Sequence, residues 1–145
     1  MQKIHGSTLY SASDLVNFLE CEHLTTLDLV NLDTPLPKAD DDEQAVLIQN
    51  KGLEHEARYL QDLQESDISV FDAKASGQSI AAAAEATKQA MAEGVSVIFQ
   101  GCLHSPEFVG YVDFLRRVDH PSGLGNFSYE VVDTKLARSP KAKFI

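Results

Sequence analysis

Two acidic residues lie in runs that otherwise resemble β-strands, and a lysine follows the second of them. Asp113 lies inside an apolar run, and Asp133 and Lys135 flank Thr134 in a second run. Side chains alternate between the two faces of a strand, so Asp133 and Lys135 point the same way and Thr134 points the other way. If the two runs pair as a hairpin, Asp113 can lie beside Asp133.

Two carboxylates that converge in an apolar sheet repel each other and lose hydration. A hard divalent cation removes both penalties, and Mg²⁺ prefers carboxylate oxygens together with waters and a substrate phosphate. A lysine two residues further on can orient or deprotonate an attacking water, or stabilise charge that develops on a phosphorane. The arrangement predicts phosphodiester hydrolysis. His55, on a predicted helix, could add a nitrogen ligand and shift the preference towards Mn²⁺; the alternative is a solvated helix histidine.

Each of these residues also has a plainer interpretation. Asp133 and Lys135 could form an ordinary surface ion pair, worth less than ~1 kcal/mol. Asp113 could be a structural carboxylate whose partner is Arg116 or Arg117. The chemistry therefore depends on the elements that position the side chains.

The first half of the chain has helical patterns. Residues 11–30 predict one helix, which Ser11 or Ser13 can cap with Asp14 completing an approximate capping box. Residues 43–65 predict a second helix, with the preceding acidic run favoured by the helix dipole. Residues 76–93 predict an alanine-rich third helix that ends at Gly94.

The second half changes to β-branched and aromatic runs. A short strand is predicted at 68–71, and three consecutive strands are predicted at 95–103, 108–118 and 127–136, with turn residues between them. Helices followed by a strand meander favour an α/β domain of the α+β type, with a mixed sheet flanked by helices. The 145 residues fit a single domain over 1–145.

Composition excludes few functions. No apolar run approaches the ~18 residues of a membrane span, and the N-terminus lacks a signal peptide's apolar core, so we expect a cytoplasmic protein.

The formal net charge is −10. Residues 1–100 hold 6 Lys and Arg against 17 Asp and Glu, a net charge of −11, and residues 101–145 hold 6 against 5, a net charge of +1. Carboxylates that hold metal make a nuclease acidic locally, so this charge does not exclude a nucleic-acid partner.

The order of the motifs resembles a known family. G-x-x-H-E on a helix, G-x-x-D on a strand and D-x-K on the next strand resemble the RecB-like branch of the PD-(D/E)XK nucleases. The local sequences around these motifs are similar to those of an uncharacterised bacterial RecB-like nuclease family. The segments that carry the resemblance are 11–15, 21–24, 52–60, 110–113 and 129–138.

The resemblance implies a restriction-endonuclease-like fold and a metal-dependent nuclease. It makes His55, Asp113 and Asp133 ligands of Mg²⁺ or Mn²⁺, with the backbone carbonyl of Thr134 as a further ligand. Lys135 becomes the catalytic lysine. The implied substrate is DNA, as a single strand or an end-bearing duplex, in repair, recombination or defence. The alternative from another class is a catalytically silent module that binds nucleic acid or a protein partner. A third is an α+β scaffold that binds no divalent ion.

The chain departs from the family in two respects. Family members continue into a helix with a Q-x-x-x-Y motif that contacts DNA, whereas this sequence stops before one, so we expect a C-terminally truncated domain. Some relatives hold a [4Fe–4S] cluster on one early and three late cysteines. Cys21 matches the first, but no distal trio follows, and Cys102 is expected in the core. In such families an RNase H-like domain or a helicase is often joined to the nuclease.

Overall fold

The computed structural model describes residues 1–4, 6–39, 42–76 and 79–135. The elements, in chain order, are β1 (Gln2–Ile4), β2 (Ser7–Leu9), α1 (Ala12–Glu20), α2 (Glu22–Asp33), α3 (Glu43–Glu65), β3 (Val70–Asp72), α4 (Ala73–Ser76), α5 (Ile80–Glu93), β4 (Val97–His104), β5 (Val109–Val118) and β6 (Ser128–Val132). The predicted α+β class is confirmed. Within the described ranges, no helix has both the length and the apolar character that crossing a membrane requires.

The main sheet has four strands in the order β3-β4-β5-β6. The β3 and β4 strands are parallel, and α4 and α5 lie between them in sequence. The β4, β5 and β6 strands form the predicted antiparallel meander. The β1 and β2 strands form a separate small hairpin, which the sequence analysis did not predict.

One face of the sheet packs against α3. The buried side chains on this face are Val97 and Phe114, and they contact Leu63 of the helix. The Tyr59 ring meets the Phe114 ring edge-on, at 4.9 Å between centroids. Large aromatic and aliphatic side chains thus fix the C-terminal half of α3 over the sheet.

The other face packs against α5, whose alanines bring it close. Ala83, Ala84 and Ala90 are buried, and the hydroxyl of Thr87 accepts a hydrogen bond from the backbone N–H of Cys102 at 2.9 Å. The Thr87 side chain can reach the backbone of β4 because the small alanine side chains let α5 lie close to the sheet. The alanine-rich helix therefore packs directly against the sheet. The predicted third helix starts later than expected, at Ile80.

The predicted single helix over 11–30 is wrong. Cys21 is extended, with φ −161° and ψ 103°, and it separates α1 from α2. Its N–H bonds to the Asn17 carbonyl, so the turn closes α1 and α2 starts at the next residue. The periodicity continued across the break, which is why the sequence did not reveal it.

The start of α1 is fixed by a buried carboxylate. Asp14 accepts hydrogen bonds from the backbone N–H and the hydroxyl of Ser11 at 2.6 and 2.7 Å. It also pairs with the N-terminal ammonium of Met1 at 2.7 Å. Burial raises the pKa of Asp14, but the N-terminal ammonium and the hydrogen bonds from Ser11 lower it by more. The pKa of Asp14 therefore lies below its ordinary value of 3.8.

We expect Asp14→Ala to lower the free energy of unfolding by about 1–3 kcal/mol at neutral pH. A depressed pKa in the folded state means that the carboxylate stabilises the fold above the unfolded-state pKa of about 3.9. This contribution is lost as the pH falls through the folded-state pKa. Urea unfolding of both proteins should therefore converge at acid pH. Asp33→Ala removes an exposed partner of Lys3 and should have little effect; equal losses from both variants would contradict the assignment.

Candidate functional site

The two aspartates meet where β5 and β6 run side by side. Phe114 pairs with Val132, the last residue of β6, so the next step of the register places Asp133 opposite Asp113. The two carboxyl groups are close enough to interact directly. The structure thus brings together the two carboxylates that the hairpin hypothesis placed side by side.

Thr134 anchors Asp113. The Oδ2 atom of Asp113 accepts the Thr134 backbone N–H at 2.8 Å and the Thr134 hydroxyl at 2.9 Å. Strand alternation predicts that Thr134 points away from Asp133, on a strand that continues to residue 136. That expectation is wrong for the described residues, because β6 ends at Val132 and the chain then turns towards Asp113.

The plainer explanation for Asp113 can be examined directly. Arg116 lies 3.8 Å from Glu130, and Arg117 lies over the Phe127 ring at 4.4 Å. Arginine pairing therefore does not account for the half-buried Asp113 carboxylate.

Two neighbours stabilise the charge of Asp113. Burial raises the pKa of this carboxyl, but the two hydrogen bonds from Thr134 and the positive charge of Lys135 outweigh it. The pKa therefore lies below the ordinary value of 3.8, and Asp113 is a carboxylate at neutral pH. Lys135 pairs with Asp133 at 2.8 Å, with side chains 49% and 39% exposed, so the lysine remains accessible from solvent.

A cleft of about 520 Å³ opens between these residues and the N-terminal half of α3. Its sheet side is formed by Asp113, Thr134 and Lys135. Its helix side is formed by Ile48, Gln49, Gly52, Leu53 and Glu56. A Cβ atom at Gly52 would meet nothing within 4 Å, so the helix leaves open space above the carboxylates.

Glu56 is the α3 carboxylate that faces this cleft. Its Oε1 atom accepts a hydrogen bond from the Nε2 atom of Gln100 on β4. Gln100 has φ +50°, in the left-handed region that non-glycine residues rarely adopt. Such a conformation costs on the order of 1–3 kcal/mol and persists where the surroundings impose it.

The structure does not bring His55 to this cleft. His55 is exposed and lines a separate hollow of about 180 Å³ with Lys51, Glu54 and Arg58. Consecutive helix positions differ by about 100° in direction, which is why Glu56 faces the sheet and its neighbour does not. The role of His55 as a ligand stays a prediction.

The sequence contained a signal for Glu56 that was not recognised. Gly52, Glu56, Tyr59 and Leu63 are spaced by four, three and four residues, and Leu60 lies four residues after Glu56, which defines one helix face. Tyr59, Leu60 and Leu63 pack towards the sheet. A glutamate on this partly buried helix face is a more specific signal for the cleft than its place in a sequence motif.

The donor atoms suit a hard divalent cation. Asp113 and Asp133 supply adjoining carboxylates, Glu56 faces them across the cleft, and open space remains for waters. Mg²⁺ is commonly bound by one or two carboxylates with several retained waters. In the part of the chain that the structure describes, no three His, Cys, Asp or Glu side chains form a ready-made metal-binding group: the carboxylates of Asp113 and Asp133 are already together, and Glu56 stands across the cleft from them.

The cysteines do not fit an iron–sulfur cluster. Cys21 is an exposed free thiol, and Cys102 is a buried free thiol in the core, as expected. A [4Fe–4S] cluster needs four cysteine ligands, and the sequence contains two. Cys21 as a cluster ligand therefore has no partner set in this chain.

Comparisons of the chain with protein-family models, with curated proteins and with solved structures gave no match in any of the three.

Proposed function

We propose that this chain is a metal-dependent nuclease module that hydrolyses phosphodiester bonds, in DNA as a single strand or an end-bearing duplex. The observation that carries the proposal is the meeting of Asp113, in the middle of β5, with Asp133 and Lys135, which follow the end of β6, beneath an open cleft. The motif resemblance to RecB-like nucleases points to the same chemistry, and to repair, recombination or defence as its setting.

Asp113 and Asp133 would hold Mg²⁺ or Mn²⁺, with Glu56 facing them from α3 and the Thr134 carbonyl as a further oxygen donor. The cation, when bound, would neutralise the carboxylates and offset the negative charge that develops on the phosphate. Thr134 keeps the Asp113 carboxylate fixed through its two hydrogen bonds. Pre-organised carboxylates need less rearrangement on binding.

Lys135 lies beside this pair and would orient or deprotonate the attacking water, or stabilise charge on the phosphorus. The water oxygen gives up a proton to Lys135 or to solvent and forms a bond to phosphorus, the bond to the leaving oxygen breaks, and that oxygen takes a proton. One product end carries the phosphate and the other carries a hydroxyl group.

The test is calorimetric titration of Mn²⁺ into the full 145-residue chain. We expect the parent to bind Mn²⁺, and we expect Asp113→Asn to weaken binding by about 10-fold or more, since the site loses one of its charged ligands. Asparagine can still accept the Thr134 hydrogen bonds, and thermal unfolding should verify that the variant is folded. Glu54→Gln is the matched control, because Glu54 is exposed on α3, pairs with Lys51 and lies outside the cleft.

Two results would contradict the proposal. A folded parent that binds no Mn²⁺ would remove the metal site. DNA binding that is indifferent to divalent ions and to Asp113→Asn, without cleavage, would instead favour the catalytically silent module.

A further inference from the structure

The regular alternation of the sheet fails at one cross-strand pair beside the cleft. Phe99 and Phe114 are paired and both pack towards α3, and their rings lie 5.2 Å apart. The paired residues Ile98 and Leu115 pack on the opposite face. This is the alternation expected of two paired strands.

The next pair breaks that pattern. Gln100 and Asp113 should point away from α3, yet Gln100 bonds to Glu56 and Asp113 lines the cleft against the same helix. The ladder pairs Phe99 with Phe114 and then Gly101 with Val112, and it omits the position between them. Two consecutive residues on each strand therefore face α3.

The backbone of Gln100 is the cause of this irregularity on β4. Its φ of +50° would be unstrained for glycine, and Gly101 is the very next residue. The strain is thus carried by a residue that has a long side-chain amide, and that amide donates to Glu56. Backbone strain of this kind clusters at sites where a side chain must be aimed.

We propose that Gln100 is the positioning residue of the acidic site, which consists of Asp113, Asp133 and Glu56. The left-handed backbone of Gln100 turns the amide towards α3, and the hydrogen bond holds the Glu56 carboxylate at the cleft that Asp113 also lines. Gln100 acts through Glu56 and needs no contact with the cation or the substrate. The proposal rests on the proposed function, because it assigns Glu56 to the same metal site.

The test combines two substitutions at Gln100 with two measurements. Gln100→Gly removes both the strain and the amide. Gln100→Asn keeps a residue that tolerates the left-handed region, but its amide is one methylene shorter and does not reach Glu56. Thermal unfolding in the presence of EDTA reports the fold, and Mn²⁺ calorimetry reports the site. The side-chain amide signals of Gln100 in the ¹⁵N-labelled, metal-free protein report the hydrogen bond independently of any metal.

We expect Gln100→Gly to unfold at the parent's temperature or higher and to bind Mn²⁺ about 10-fold more weakly or worse, the range found for outer-shell partners. Gln100→Asn should weaken binding similarly. Gln100→Gly should add no further loss in a Glu56→Gln background, since the two residues act as one unit. The amide signals of Gln100 should move in Glu56→Ala and stay in place in Glu54→Ala.

Three outcomes would overturn the positioning role while the parent binds Mn²⁺. The first is an Mn²⁺ affinity of Gln100→Gly equal to that of the parent. The second is a loss of affinity in Gln100→Gly that adds fully to the loss in Glu56→Gln. The third is a Gln100 amide signal that does not move in Glu56→Ala. A lower unfolding temperature with unchanged affinity would make Gln100 a purely structural residue. A parent that binds no Mn²⁺ would overturn the proposed function and this role together, and the titration of the parent alone distinguishes that case.

Discussion

Lys135→Ala is expected to slow Mn²⁺-dependent DNA cleavage by about 100-fold or more, the range for loss of a positioned acid–base group. Mn²⁺ affinity should stay close to that of the parent, because the lysine contributes charge beside Asp133 and no ligand atom. Rates are measured under single-turnover conditions on end-labelled single strands and on duplexes with free ends. Calorimetry of the same variant supplies the affinity.

Lys135→Arg is the informative companion. Arginine keeps the positive charge but cannot be deprotonated in proteins. Activity near that of the parent would assign Lys135 to electrostatic stabilisation, whereas a loss equal to that of the alanine variant would assign it to proton transfer. If cleavage is unaffected in Lys135→Ala, then Lys135 is merely the exposed partner of Asp133.

Glu56→Gln is expected to reduce Mn²⁺ affinity by about 10-fold or more, whereas His55→Ala should leave the affinity close to that of the parent. Glutamine keeps the size of the side chain and an acceptor for Gln100 but removes the negative charge that faces Asp113. Affinity in such sites is set largely by ligand charge. His55 lines a different hollow, with Lys51 and Arg58.

The motif resemblance predicts the opposite order of effects, since it assigns the helix ligand to His55. Calorimetry on the two variants in parallel decides between the two residues, with unfolding curves to verify that both are folded. A large loss in His55→Ala beside an unchanged Glu56→Gln would mean that α3 is turned by about one residue when the ion is bound.

The outline of the fold could be predicted because its signals are local. Periodicity locates α3, Gly94 ends α5 in the left-handed conformation, and turn residues separate the strands of the meander. The break at Cys21 and the end of β6 at Val132 could not be predicted in this way. Both depend on how neighbouring elements pack, which the residue pattern of one segment does not record.

The candidate site was predictable in its strand residues and less so in its helix residues. Pairing of the two predicted strands as a hairpin was enough to place Asp113 beside Asp133. The choice between His55 and Glu56 requires the rotation of α3, which is fixed by Tyr59 and Leu63 against the sheet. Glutamine is not a residue type that signals a left-handed backbone, so the conformation of Gln100 could not be predicted from the sequence.

The attachment of α3 to the sheet has a consequence for how the site opens. The β4 and β5 strands share a backbone ladder, whereas α3 meets the sheet through side chains such as Leu63 and through the bond from Gln100 to Glu56. Packed side chains can separate in a local fluctuation that leaves a ladder intact. Amide hydrogens of α3 should therefore exchange with solvent sooner than those of β4 and β5. The two halves of the acidic cleft would then part and rejoin many times in the lifetime of one folded molecule.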